Sequence, residues 1–135
     1  YKKTQNIAAR VRKMTKGEGV PVVFDAVGKD TWTQSLNSLK ARGLMVSFGN
    51  ASGPIDAFSL GELASRGSLY VTRPSLVTYT STRDELEKSA RALFKMVTSG
   101  AIKIEINQTY PLKEAPQAHR DLEGRKTTGS TIFIP

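Results

Sequence analysis

An α/β fold on a parallel sheet is predicted by two short apolar runs rich in β-branched residues, Val20–Val27 and Leu44–Phe48, and by the helical patterns that alternate with them. Continuous apolar runs of this length are what strands buried on both faces look like, and strand–helix–strand order implies right-handed parallel crossovers. A third strand, Ser68–Thr72, extends the series toward Pro74 and alternates more, which suits an edge.

Each element has a local reason. Over residues 5–15, Ile7, Val11 and Met14 recur at helical spacing with Arg10, Arg12 and Lys13 between them, giving a helix with a basic outer face that Gly17 and Gly19 stop. Asp30 is placed to cap a second helix in which Trp32, Leu36 and Leu39 share a face, ending near Arg42-Gly43. Phe58–Arg66 reads as a short helix before Gly67. The longest helix starts at Ser81 or Thr82 with Asp84 and Glu85 in its first turn. It turns Leu86, Ala90, Leu93, Phe94 and Val97 inward and ends at Gly100. Ile102–Ile106 alternates as a half-exposed strand, Leu112–Glu123 is a short helix and Thr131–Ile134 a closing strand; these last elements look like a different layer.

Composition narrows the chemistry. The 135 residues contain no Cys and one His, so disulfides, thiol nucleophiles and thiolate or His-cluster metal sites are not expected. No stretch approaches eighteen apolar residues and no signal pattern opens the chain, which favours a soluble, cytoplasmic protein. The chain opens with Tyr1 rather than Met, and is expected to begin partway through a larger protein. The net charge of +8 includes six Lys/Arg and no acid in the first 17 residues. Nucleic-acid binding would interleave such a stripe with exposed aromatics, whereas most aromatics here sit in apolar runs, so solvated faces are the safer reading.

The most informative local feature is Val46-Ser-Phe-Gly-Asn-Ala-Ser-Gly53, a buried strand entering a loop of Gly and small polar residues; Asp25-Ala-Val-Gly28 ends a second strand similarly. Ligands of parallel sheets sit beyond such carboxyl ends, and Gly there lets backbone approach a cofactor. The same residues also suit plain turns. Neither GxGxxG nor GxxxxGK[ST] occurs, so any nucleotide site is only partly supplied here. Asp25 is read as a strand-end carboxylate bonding nearby backbone, and His119 as a packing or hydrogen-bonding residue, not a catalyst.

Segments Val22–Trp32, Leu36–Gly53, Gly67–Pro74 and Ala118–Glu123, with Thr128-Gly-Ser130, together resemble the C-terminal part of the NADPH:quinone oxidoreductases. These form the zinc-independent, zeta-crystallin-like branch of the medium-chain dehydrogenase/reductase superfamily. The resemblance implies an incomplete Rossmann fold over residues 1–106, the second half of its sheet, and a segment 107–135 that returns to a missing GroES-like catalytic domain. It implies NADPH as cofactor, a quinone as substrate of the parent enzyme and hydride transfer between them. The piece alone would be inactive.

Carried over by position, Tyr1, with Lys2 beside it, would lie near the adenosine ribose and its 2′-phosphate, and Val27 and Gly28 on the adenosine side. Phe48, Gly49, Asn50 and Ala51 would hold the nicotinamide-ribose half, Val71 and Thr72 would stand close to the nicotinamide, and Arg125 would reach the cofactor from the C-terminal segment. No residue is implied as a proton-transfer catalyst and none as a metal ligand. The strand Ser68–Pro74 would pair across a homodimer. The rivals are an enone or alkene reductase of the same superfamily, and a non-catalytic nucleotide- or RNA-binding module.

Overall fold

A computed structural model of the chain describes residues 6–135. Those up to Tyr79 form one compact unit and Thr80–Pro135 a second.

In the first unit, helix α1 (Ile7–Met14), strand β1 (Val20–Asp25), helix α2 (Trp32–Ser38), strand β2 (Leu39–Ser47), helix α3 (Gly61–Ser65), strand β3 (Tyr70–Thr72) and helix α4 (Leu76–Tyr79) follow in order. The strands make one parallel sheet in the order β1-β2-β3, as the alternation predicts. Its core is Trp32, Leu36, Leu39, Met45 and Leu69, with Val20, Val23, Ile55, Phe58 and Leu63 packed against it. Trp32 and Phe58 meet with ring centroids 4.8 Å apart and a 51° tilt, close to the geometry aromatic pairs favour.

Several boundaries move, each for a local reason. β1 stops at Asp25, short of Val27, because the Asp25 carboxylate takes the N–H groups of Val27 and Gly28 and bends the chain out of the sheet. β1 is also not buried on both faces, since Phe24 is 73% exposed. Asp30 does not cap α2: Thr31 is the N-cap, and its hydroxyl is turned to Asp25. α2 ends at Ser38, ahead of Arg42-Gly43, because Leu39 is extended and pairs with Val20. The register then jumps to Val22 opposite Leu44; Arg42, at φ +58°, sits in the bulge and donates its N–H to the Gly67 carbonyl. α3 is shorter than Phe58–Arg66, and α4 carries no signal that the sequence reading used. The outer face of α1 is not simply solvated: Arg12 donates to the carbonyls of Asn37, Gly17, Glu18 and Leu39 at 2.6–3.1 Å.

The second unit holds helix α5 (Arg83–Thr98), strand β4 (Ile106–Pro111), a 3-10 turn (Leu112–Glu114), helix α6 (Ala115–Glu123) and strand β5 (Ser130–Ile134). Thr82 caps α5 with a full capping box: its hydroxyl accepts from the Glu85 N–H and the Glu85 carboxylate accepts from the Thr82 N–H. Of the residues expected to face inward, Ala90 and Val97 are half-buried, whereas Leu86 is exposed, Leu93 is 53% and Phe94 64% exposed, and no residue of α5 is fully buried. Ile102–Ile106 is not a strand, because the ladder opens at Ile106, where β4 pairs in parallel with β5. The expected helix Leu112–Glu123 divides into the 3-10 turn and α6.

Leu36 is almost fully buried at the centre of the first core, so Leu36→Ala deletes packed methyls that nothing can replace. The expected cost is about 3 kcal/mol of unfolding free energy in urea titrations. A loss below about 1 kcal/mol would show that the site collapses around the gap.

Candidate functional site

The site is built at the carboxyl ends of β1 and β2, which run side by side with Asp25 opposite Ser47. Beyond that pair, the two strand-end loops are joined by backbone bonds. Phe48 N–H donates to the Asp25 carbonyl (2.9 Å), Ala51 N–H to Ala26 (3.1 Å), Ser52 N–H to Val27 (2.8 Å) and Lys29 N–H to Gly53 (3.2 Å). The Ser52 hydroxyl adds a bond to the Val27 carbonyl at 2.8 Å and accepts the Asp30 N–H at 3.0 Å.

Two glycines make this approach possible. Gly28 sits at φ +89°, and a Cβ there would stand 2.7 Å from the Gly53 carbonyl oxygen and 3.2 Å from the Asn50 Cα. A Cβ on Gly49 would lie 2.4 Å from the Ala26 carbonyl oxygen, closer than atoms tolerate. Gly is therefore required at both positions for backbone contact between the loops, beyond the needs of a turn.

Asp25 anchors the arrangement. Its side chain is 5% exposed as a residue, and it accepts from Val27 N–H (2.8 Å), Gly28 N–H (3.0 Å), the Thr31 hydroxyl (2.7 Å) and the Ser35 hydroxyl (2.6 Å). Burial pushes its pKa upward, but the bonds from Ser35, the Gly28 N–H, Thr31 and the Val27 N–H outweigh it and hold the carboxyl below the usual aspartate range. The strand-end reading of Asp25 is thus what the structure has, and its donors leave it no lone pair free for catalysis.

The sequence-predicted residues distribute as follows. Tyr1 and Lys2 lie outside the described residues. Gly28, Gly49, Asn50 and Ala51 come together where the loops meet. Asn50 and Val71 share an open groove of about 560 Å³, whose walls also include Trp32, Ser47, Phe58 and Arg73. Val27 lines a different groove of about 390 Å³ along β1, with Ile7 and Val11. Phe48 is half-exposed, and Thr72 pairs with Val46 at the end of the β2–β3 ladder. Arg125 belongs to the second unit, just past α6, at φ +57°. His119, also in that unit, lines a small cavity with Ala118, Leu122, Thr131 and Phe133.

Sequence reasoning missed Arg73. Its Nη1 reaches the Ser47 carbonyl and hydroxyl, the Gly49 carbonyl and the Asn50 Oδ1. The available signal was a guanidinium directly after a parallel strand and before Pro74, at the same end of the sheet as both glycine loops. It also missed Thr31 and Ser35, whose hydroxyls complete the Asp25 cluster.

The arrangement offers backbone, aromatic rings and small side chains along the groove, with Asp25 occupied by its donors and Asp56 in the groove wall paired with Lys29 at 3.1 Å. Chemically it can bind and orient a flat ligand; it does not display an acid or base poised to move a proton.

Residues 1–132 match the family described as zinc-binding dehydrogenase. Over 131 residues the chain is 52% identical to a quinone oxidoreductase of Pseudomonas aeruginosa, covering 97% of this chain and 40% of that protein. It is 43% identical over 133 residues to a 2-haloacrylate reductase of a Burkholderia species, covering 98% of this chain and 40% of the relative. The crystal structure of Escherichia coli quinone oxidoreductase complexed with NADPH superimposes with a TM-score of 0.89 at 49% identity, covering 98% of this chain and 41% of that one. The chain thus spans about two fifths of the length of these relatives.

The Asp25 cluster gives a signed pH prediction. Its folded pKa is depressed, so its stabilisation is present above about pH 4 and is lost as the pH falls through the folded value. Asp25→Asn is expected to lose about 2 kcal/mol at pH 7, with the gap to wild type narrowing as the pH falls below the usual aspartate range in urea titrations. A gap that does not narrow at all as the wild-type protein is acidified would rule out the ionised cluster as its source.

Proposed function

The chain belongs to the zinc-binding dehydrogenase family, and we propose that it is the C-terminal, cofactor-side part of an NADPH-dependent quinone oxidoreductase of the medium-chain dehydrogenase/reductase superfamily. On this reading residues 1–106 are the second half of a Rossmann sheet, and residues 107–135 return to a GroES-like catalytic domain. The observation that carries it is the pair of glycine loops joined backbone to backbone at the carboxyl ends of adjacent parallel strands, where open α/β sheets hold dinucleotides.

The residues fit such a group. Gly28 and Gly49 let the two loops close backbone to backbone at the strand ends, and the half-exposed Phe48 ring beside them offers a flat apolar face. We assign Val27 and Gly28 to the adenosine side, Phe48, Gly49, Asn50 and Ala51 to the nicotinamide-ribose half, and Val71 and Thr72 to the neighbourhood of the nicotinamide. Arg125 would pair with phosphate or carboxamide oxygens, and Tyr1 and Lys2 would favour the 2′-phosphate. Bound NADPH supplies a hydride for an electrophilic carbonyl. The chain's own residues bind, orient and exclude water, and no acid or base is nominated. The 135 residues by themselves are expected to be inactive.

Zinc-independence of the parent belongs to the proposal through the resemblance to the zeta-crystallin-like branch; the absence of Cys and the single His argue against zinc ligands in these 135 residues alone. β3 is an edge of its sheet, and we infer that it pairs with the same strand of a second copy to form a homodimer. Among the described residues no helix is long and apolar enough to cross a membrane, and a cytoplasmic location is the natural one for this chemistry.

A second reading, reduction of a polarised carbon–carbon double bond, is favoured by the likeness to 2-haloacrylate reductase. The test is NADPH oxidation by the natural full-length protein with a panel of quinones and of enones. Quinone-dependent oxidation is expected, and turnover of enones alone would move the assignment to the second reading. No oxidation with either panel, together with salt-sensitive RNA binding, would replace both. Arg125→Met should raise the NADPH dissociation constant about tenfold by removing one charge-assisted pair, and an unchanged constant would remove Arg125 from the site. Sedimentation is expected to give twice the protomer mass, and a monomer at micromolar concentration would exclude the β3 pairing.

A further inference from the structure

Arg73 follows β3 by one residue and reaches back across the end of β2. Its Nη1 lies 3.1 Å from the Ser47 carbonyl oxygen, 3.2 Å from the Ser47 hydroxyl, 3.1 Å from the Gly49 carbonyl oxygen and 3.3 Å from the Asn50 Oδ1. One guanidinium nitrogen carries two hydrogens, so the four acceptors share them in three-centre bonds.

The sheet does not need this clamp. Pairing between β2 and β3 already runs from Leu44–Tyr70 to Val46–Thr72 and stops there. Past that point the 47–53 loop is held on its β1 flank by the N–H groups of Phe48, Ala51 and Ser52, and Arg73 holds the opposite flank. A trans peptide is planar, with its C=O and N–H pointing opposite ways. In the Ser47–Phe48 peptide the carbonyl faces Arg73 while the N–H donates to Asp25. By the same geometry, holding the Gly49 carbonyl turns the Asn50 N–H away from Arg73. That N–H and the one of Gly49 have no partner among the described residues.

We propose that Arg73 is a positioning residue for the dinucleotide: by gripping the Ser47 and Gly49 carbonyls it fixes two peptide planes of the loop and presents the Asn50 N–H as a fixed donor to an acceptor oxygen of the ligand's nicotinamide half. The inference rests on the cofactor reading above and adds to it a residue that works through the loop. All four contacts converge on one nitrogen, so a lysine ammonium, a compact donor on a more flexible stem, replaces the grip in part.

Two measurements on the natural full-length protein test it, with Arg73→Met and Arg73→Lys as variants. Without cofactor, amide hydrogen exchange should show about tenfold less protection at Phe48, Ala51 and Ser52 in Arg73→Met, with Leu44–Val46 unchanged. The NADPH dissociation constant should rise about tenfold in the same variant and recover partly in Arg73→Lys, while the thermal midpoint stays near wild type. Unchanged protection of the loop overturns the inference, as does lost protection with unchanged affinity. A wild-type protein that binds no NADPH overturns the cofactor reading itself, and this inference with it.

Discussion

The first unit depends on a buried carboxylate that must be satisfied. An ionised Asp side chain removed from water without partners would cost far more than the net stability of a domain, so Asp25 can sit at the end of β1 only with donors around it. They come from its own next ten residues: two backbone N–H groups and the hydroxyls of Thr31 and Ser35. Gathering them ends the strand, drives Gly28 to a positive φ and starts α2 at Trp32. That helix then brings Trp32 and Leu36 onto the sheet, so one polar cluster sets where the core begins and where the first glycine loop stands.

The second glycine loop inherits its position from the first. Once Val27 and Gly28 are fixed, the carbonyls of Ala26 and Val27 accept the N–H groups of Ala51 and Ser52, and Gly49 can settle against Ala26 only because it lacks a Cβ. The same loops leave no free proton-transfer group at the site. Asp25 is consumed in holding them, and Asp56, which lines the groove with Asn50 and Val71, is paired with Lys29 at 3.1 Å. On the proposed function such a site contributes orientation, while the cofactor would carry the chemistry.

What the sequence reveals and what it hides divide along range of interaction. Features decided within a few residues are legible: the Thr82 capping box, the glycine stops after α1, the parallel strands and the strand-end role of Asp25. Features decided by a distant partner are not. The end of α2 is set by Leu39 pairing with Val20, nineteen residues earlier by sequence number, and the bulge by Arg42 meeting Gly67. The apolar stripe of α5 is correct as a helical pattern, yet periodicity says only that a face seeks cover, and the chain supplies none for Phe94. In the site, glycines and small polar residues after strands were visible as a composition. Arg73 was not, because its four acceptors lie 23 to 26 residues away.

The basic excess takes on a different meaning once its members are located. A net charge of +8 suggests a positive surface, but several guanidinium groups are spent on the chain itself. Arg12 gathers four carbonyls where α1, α2 and the glycine turn converge, and Arg73 binds the end of β2. Arg66 bonds Asn37 and pairs with Glu62 at 3.0 Å, while Arg83 and Arg91 both pair with Glu87. Carbonyl clamps leave the formal charge in place yet fix each guanidinium against backbone, so it cannot swing out to follow a phosphate chain. The charge count therefore argues less for a nucleic-acid surface than it first suggests. Arg12 and Arg73 serve as internal fasteners, and the one that ends β2 stands beside the loop best placed to hold a ligand.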